Sequence, residues 1–236
     1  MCKKKIYGFI LEIFYIPNMQ IKSFSFNPFG VNAYILSNNA GDAILIDTSV
    51  SNAREQAALA DYIKSEHLQV RRVLNTHLHL DHVLGNAFVE RTYGIKAEAH
   101  KDDEFLLGLQ QEQAQMFGLP CNDIAPALGN NLDEGDTVEI PEIKLQVIHV
   151  AGHSPGGLAF YCENPGKVNG QDNVPPLLFP GDIIFAGSRG RSDLFGGDEF
   201  TLVSGIKSKL LTLPSETIVF PGHGPSTTIG DEKMWY

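Results

Sequence analysis

Hydrophobic and polar residues alternate along Ile21-Lys22-Ser23-Phe24-Ser25-Phe26, and a period of two marks a β-strand. A second strand runs from Asn32 to Leu36, with Asn27-Pro28-Phe29-Gly30 as the turn between them. After another turn at Asn38-Asn39-Ala40-Gly41-Asp42, the apolar run Ala43 to Ile46 predicts a short buried strand that ends in Asp47. The period then changes. Ser51 and Asn52 cap a helix over Ala53 to Lys64, with Ala57, Leu59, Tyr62 and Ile63 facing inward. Val70 to Leu74 and Ile95 to Ala99 read as strands, and the helix between them, Gly85 to Tyr93, stops at Gly94. Asp102 and Asp103 open a further helix that runs to about Met116.

Phe117 to Asp136 follows neither period, and Met116-Phe117-Gly118-Leu119 suits either a core stripe or the mouth of a site. The second half repeats the order of strands, loop and helix. Strands are expected at Ile143 to Val150, Leu158 to Cys162, Leu177 to Pro180 and Thr217 to Phe220, and a helix at Phe200 to Leu211. Asn164 to Pro176, rich in Gly, Asn and Pro, predicts an exposed turn. No low-complexity linker divides the chain, so the pattern implies an α/β fold in one domain. The expected arrangement is two mixed β-sheets packed face to face, with helices outside each.

At 236 residues the chain is long for an average domain but normal for one built on two sheets. Its net charge of −10, with no basic run beyond Lys3-Lys4-Lys5, argues against gripping a nucleic-acid backbone. Cys2, Cys121 and Cys162 show neither metal nor disulfide spacing, which points to a reducing, cytoplasmic setting. Lys3 to Lys5 followed by Ile6 to Ile16 has the outline of a signal peptide. However, Glu12 interrupts the apolar run, no cleavage site follows, and the run is too short to span a membrane. Residues 1–18 are therefore read as an extension ahead of a domain over 19–236, with Met19 the natural start. The expected partner is a small molecule, not a membrane, and the expected state a monomer or weak homo-oligomer.

Three imidazoles and a carboxylate fall within the six residues from His77 to His82, in Thr76-His77-Leu78-His79-Leu80-Asp81-His82. That set suits a borderline-soft divalent metal such as zinc, whereas calcium and magnesium take oxygen ligands. In an extended segment residues two apart point the same way, so His77 and His79 can close on one ion. Asp81 and His82 are adjacent, diverge from that pair, and are placed to reach a second ion. A lone histidine is more often a cap or a core hydrogen-bonding group, but four ligands at this spacing mark a metal site. His67 and His100 have no ligand-like neighbours and His149 alternates away from the apolar residues beside it, so these three are read as structural.

His-x-His-x-Asp-His resembles the signature of the metallo-β-lactamase superfamily. That family needs a further His, Asp and His, each just after a strand. This chain has His153 in Gly152-His153-Ser154-Pro155-Gly156-Gly157, Asp182 in Pro180-Gly181-Asp182, and His223 in Pro221-Gly222-His223-Gly224-Pro225. The resemblance implies a four-layer αββα sandwich with two divalent ions at one rim, zinc foremost and iron or manganese as alternatives. It implies His77, His79 and His153 around one ion, Asp81, His82 and His223 around the other, and Asp182 bridging. Asp47 matches a residue that buttresses the ligands in the family; read from its neighbours alone, it equally suits closing a turn with Thr48 and Ser49.

The loop Gly187-Ser188-Arg189-Gly190-Arg191-Ser192-Asp193 is similar to the substrate-side loop of glyoxalase II-like thioesterases and persulfide dioxygenases. β-Lactam hydrolases usually lack the counterpart of His82 or carry Cys at the bridging Asp. The best match is the short, single-domain glyoxalase II-like group of hydroxyacylglutathione hydrolases. It implies hydrolysis of a thioester, S-lactoylglutathione or a related acyl thioester, by a hydroxide bridging the metals. Asp81 and Asp182 are then catalytic and Arg191 contacts substrate; Arg191 equally suits an ion pair with Asp193 or Asp198. Full glyoxalase II enzymes add a helical domain that clamps glutathione, and this chain ends soon after His223, which leaves the thiol half of the substrate open. A mononuclear iron persulfide dioxygenase, a lactone hydrolase and a non-catalytic metal-binding module are the other readings of the same scaffold.

Overall fold

Strand by strand, odd and even positions go to different hydrophobic layers, because side chains alternate across a pleated sheet. A computed structural model describes residues 2–6, 9–16, 18–119, 123–166 and 174–236, with side chains from Ile16 onward. One sheet holds eight strands in chain order: β1 (Cys2–Ile6), β2 (Phe9–Ile16), β3 (Met19–Phe26), β4 (Val31–Asn38), β5 (Asp42–Ile46), β6 (Gln69–Leu74), β7 (Ala97–Ala99) and β8 (Asn130–Asn131). The other comprises β9 (Thr137–Ile140), β10 (Ile143–His149), β11 (Leu158–Cys162), β12 (Leu177–Gly181), β15 (Ile218–Pro221) and β16 (Thr227–Thr228), in the order β16-β15-β12-β11-β10-β9. A separate hairpin, β13 (Ile184–Phe185) with β14 (Ser188–Arg189), stands beside it. Both sheets are mixed: β5 to β8 pair in parallel, as do β12 and β15.

Ile21, Leu36, Ile44, Ile46 and Leu74 of the first sheet meet Leu145, Val147, Leu158, Phe160 and Phe179 of the second. The intervening positions point outward and are buried too. Phe24, Ile35, Leu45 and Val73 lie under Leu59 and Ile63 of α1 (Ala53–Ser65) and Val89 of α3 (Asn86–Tyr93). Ala159, Leu178 and Val219 lie under Leu202 of α6 (Glu199–Gly205), Ile206 and Leu210. Burial on both faces explains why Ala43 to Ile46 is apolar without alternation, each large side chain contributing about 1.5–3 kcal/mol. The result is the expected αββα sandwich. Among the described residues, no helix is long and apolar enough to cross a membrane.

Several local expectations shift. In α1 the inward residue is Glu55, not Ala57, which is exposed. Glu55 is buried because it accepts from Ser51 N and Oγ and from Asn27 N, tying the β3–β4 turn to the helix start. The helix expected from Asp102 to Met116 is a 3-10 turn (Lys101–Asp103), then α4 (Glu104–Gly108), then α5 (Gln110–Phe117). It breaks at Leu109, where the buried Gln110 amide instead pairs with both Ala125 N and Ala125 O. The helix expected over Phe200 to Leu211 is α6 followed by a π-helical turn, Ile206–Leu210. Residues ahead of Met19 pair as antiparallel strands onto β3. Part of the turn expected at Asn164 to Pro176 and the site of Cys121 lie outside the described residues. Cys162 is a buried free thiol, its pKa pushed up to about 11 by burial.

Candidate metal centre

The ligand loop leaves the end of β6 at Leu74 and turns at once into α2 (Leu80–Val83). Asp47, at the end of β5, adopts a left-handed backbone (φ 52°) that Asp tolerates better than most residues. Its carboxylate accepts from Thr76 N at 2.8 Å, Thr76 Oγ1 at 2.7 Å and His82 Nδ1 at 3.0 Å. Asp47 thus ties together both ends of the His77–His82 loop.

Three imidazole nitrogens converge. His153 Nε2 lies 3.1 Å from His77 Nε2 and 2.9 Å from His79 Nδ1. Beside them, Asp182 Oδ1 is 3.3 Å from His82 Nε2, while Asp182 Oδ2 is 3.4 Å from His223 Nε2 and 3.7 Å from His153 Nε2. Asp182 therefore faces both groups. Asp81 Oδ2 lies 3.5 Å from His223 Nε2 and 3.8 Å from His82 Nε2. The triads His77/His79/His153 and Asp81/His82/His223 each place one ligand atom per residue within 4.8 Å of the others. All seven expected ligands are brought together, although adjacent Asp81 and His82 diverge in sequence: the single turn of α2 directs both to the same side.

The remaining ring nitrogens fix the tautomers. His77 Nδ1 donates to Thr76 Oγ1, His82 Nδ1 to Asp47, His153 Nδ1 to the Arg191 carbonyl at 2.7 Å and His223 Nδ1 to the Phe29 carbonyl at 3.1 Å. In each of these four, Nδ1 is the donor, so Nε2 is the nitrogen that faces the centre and can ligate once it carries no proton. His82 Nε2 and Asp182 Oδ1, both facing the centre, are buried without a hydrogen-bond partner. Orphaned polar atoms of this kind are costly unless a cation satisfies them. The site fits a divalent metal.

Electrostatics divide the ligands. Burial, reinforced by neighbouring imidazoles, lowers the His77 pKa well below normal and that of His79 to about 3. Burial also opposes charge on His82 and His223, but Asp182 and Asp81 outweigh it, raising His82 and bringing His223 to about 9. Burial likewise opposes ionisation of Asp81 and Asp182, and the His82 and His223 rings outweigh it and hold both carboxylates low.

A cavity of about 330 Å³ opens over the centre, walled by Phe29, Phe117, Phe185 and Leu194 and floored by His79, Asp81, His153, Asp182 and His223. Phe29 and Phe117 meet edge to face at 5.6 Å. Of the stripe Met116 to Leu119, Phe117 reaches the cavity, whereas Met116 is exposed and Leu119 packs on Leu80, Leu84 and Ala114. Arg191 lines the cavity with its side chain paired to Asp193, not Asp198. Its hydrogen bonds hold the Asp193 pKa at about 2.

His100 and His149, read as structural, stack at 4.2 Å with their planes 10° apart, and Asp133 lies 3.4 Å from His100 Nε2. His149 Nε2 donates to the Pro155 carbonyl, under the loop that carries His153. Their sequence separation hid this pairing. Asp103, read only as a helix opener, lies in the same place, fully buried between two ligand loops.

The sequence profile of the Metallo-beta-lactamase superfamily matches residues 26–223. The chain is 34% identical over 217 residues to a hydroxyacylglutathione hydrolase, GloC, of Haemophilus influenzae, covering 91% of this chain and 95% of that protein. Two solved structures are similar across most of the chain. BLEG-1, described as a B3 metallo-beta-lactamase, gives a TM-score of 0.79 at 32% identity, covering 91% of this chain and 96% of its own. TTHA1623 in a di-iron-bound form gives 0.73 at 33% identity, covering 88% and 94%. On this profile match, these relatives and the intact histidine and aspartate ligand set, the chain belongs to the metallo-beta-lactamase superfamily.

Proposed function

We propose that the protein is a dinuclear metal-dependent hydrolase of small thioesters, S-lactoylglutathione or a related acyl thioester among them. The observation that carries the reading is Asp182, whose two oxygens face His82 on one side and His153 and His223 on the other, so that it joins two ligand groups beneath one open cavity. The relative named as a hydroxyacylglutathione hydrolase, 34% identical over 217 residues, supports the same substrate class. Divalent ions held there, zinc foremost, supply Lewis acidity and acidify water toward neutral pH. The protein's own groups supply the rest. The aromatic wall of Phe29, Phe117 and Phe185 excludes bulk water and takes the apolar part of the acyl or thiol group. Asp81 borders the cavity and is held ionised by His82 and His223. It accepts the proton released as water adds to the thioester carbonyl and returns it to the sulfur as the carbon–sulfur bond breaks.

The test is a panel of S-lactoylglutathione, a simple acyl thioester, a lactone, a β-lactam and glutathione persulfide. Thioester turnover is expected to be highest, lost on chelation and restored by zinc or manganese. Oxygen consumption with the persulfide and no thioester turnover would move the protein to iron-dependent oxidation. Lactone or β-lactam turnover without thioester turnover would replace the substrate class while keeping the hydrolytic centre.

A further inference from the structure

Asp103 lies at the end of the 3-10 turn that follows β7, with no exposed surface, and belongs to none of the ligand groups. Its Oδ2 accepts from Leu78 N at 3.1 Å and from Ser154 Oγ at 2.8 Å. Its Oδ1 accepts from Gly156 N at 2.6 Å. Leu78 stands between His77 and His79, and Ser154 and Gly156 follow His153. One carboxylate thus clasps the two loops that carry all three imidazoles of one triad, which come from positions about seventy-five residues apart. The contact is built on both sides: a Cβ on Gly156 would sit 2.8 Å from Asp103 Cγ, so only glycine lets that backbone N–H come so close. The opposite edge of the same loop is held by His149, through the Pro155 carbonyl.

We infer that Asp103 is a positioning residue for the metal centre, holding the His77–His79 loop and the His153 loop in register so that their imidazoles meet on one ion. All three bonds to it are accepted, so an amide cannot replace it. In Asp103→Asn one position carries an N–H, which opposes Leu78 N–H or Gly156 N–H whichever way the amide is turned. The inference rests on the metal reading and is independent of the substrate.

The experiment is titration of the metal-free protein with cobalt(II), followed by its visible absorption, with thermal unfolding of the same samples without metal. Asp103→Asn is expected to weaken binding at the three-histidine site about 10- to 100-fold, the range for partners that orient ligands. The other site should still fill, so that one binding step weakens and the second persists. Gly156→Ala, which pushes on the same clasp from the His153 side, is expected to do the same, and Ser154→Ala, which removes one of three donors, to weaken binding only a few-fold. If Asp103→Asn does not fold, the Gly156→Ala and Ser154→Ala titrations carry the test. Cobalt affinity unchanged in the folded variants, with only the metal-free melting temperature lowered, would make Asp103 a packing residue and overturn the inference. Wild-type protein that takes up no cobalt would overturn the metal reading and the inference with it.

Discussion

Arg191 shows how one side chain can serve two readings. Its guanidinium lines the cavity yet is held by Asp193 through bonds of 2.6 and 2.7 Å. Both side chains are more than half exposed, 54% and 68%, and such a pair contributes only about 0–1 kcal/mol. A substrate carboxylate can therefore displace Asp193 at small cost and take the guanidinium bidentately. Arg191→Ala is expected to leave metal content and urea midpoint nearly unchanged and to cut kcat/KM about ten-fold with an anionic thioester, because a charged hydrogen bond is worth about 1.5–3 kcal/mol. Asp193→Ala, which frees the guanidinium, is expected to raise it. Steady-state kinetics that are the same in both variants would leave Arg191 as a rim residue. At the same scale, Asp47 closes a turn through Ser49 N while its carboxylate accepts from Thr76 and His82 together.

Between elements, the decisive feature is how tightly strand ends approach at the rim. Parallel β12 and β15 deliver Asp182 and His223 from neighbouring strand ends, and Gly222 N donates to Gly181 O across them. A Cβ at Gly222 would lie 2.1 Å from Asp182 Oδ1 and 2.9 Å from His82 Cε1. Gly222→Ala is expected to push both ligands aside and to cost about 1–3 kcal/mol, as overpacking does. The readings are a lower urea midpoint at unchanged m-value in chelator, and loss of metal from the Asp81/His82/His223 site. Gly108→Ala, whose Cβ would meet nothing within 4 Å at the end of α4, is the control. It is expected to be neutral or stabilising by about 0.5–1 kcal/mol. The packing around each glycine accounts for the opposite expectations.

At the scale of the whole molecule, protons and metal compete for the same atoms. In the metal-free protein the His223 pKa rises from 6.5 to about 9 and that of His82 is raised too. A raised histidine contributes stability that is complete below the unfolded pKa of about 6.5 and lost as pH climbs through the folded value. Asp81 and Asp182 are depressed, so their contribution is present above about 3.9 and lost as pH falls through their folded values. His77 and His79 are depressed, so their contribution is lost as pH falls below about 6.5. Metal-free protein is therefore expected to be most stable near pH 6.5 and to weaken both toward pH 9 and toward acid, as read by urea midpoints in chelator. His77 and His79 are already neutral. Filling the Asp81/His82/His223 site near pH 7.5 is expected to release one to two protons and filling the three-histidine site close to none, measured by calorimetry in buffers of different ionisation heat. Equal proton release at both sites would contradict this division.

The sequence alone made legible the central strands and main helices of each half, through apolar runs, caps and glycines, and the His77–His82 cluster through its spacing. His153, Asp182 and His223 were joined to that cluster by resemblance to the metallo-β-lactamase superfamily. The sequence did not show that Glu55 rather than Ala57 turns inward, because that choice depends on Asn27 and the β3–β4 turn reaching the helix start. Nor did it show the break at Leu109, which follows from where Ala125 falls beside Gln110. The clasp at Asp103, the His100–His149 stack and the pairing of Arg191 were likewise left to the tertiary structure. The His77–His82 cluster is a local geometry, so spacing reveals it. A supporting residue is defined by which distant loop comes to lie against it, and that is decided only when the two sheets pack and their strand ends meet.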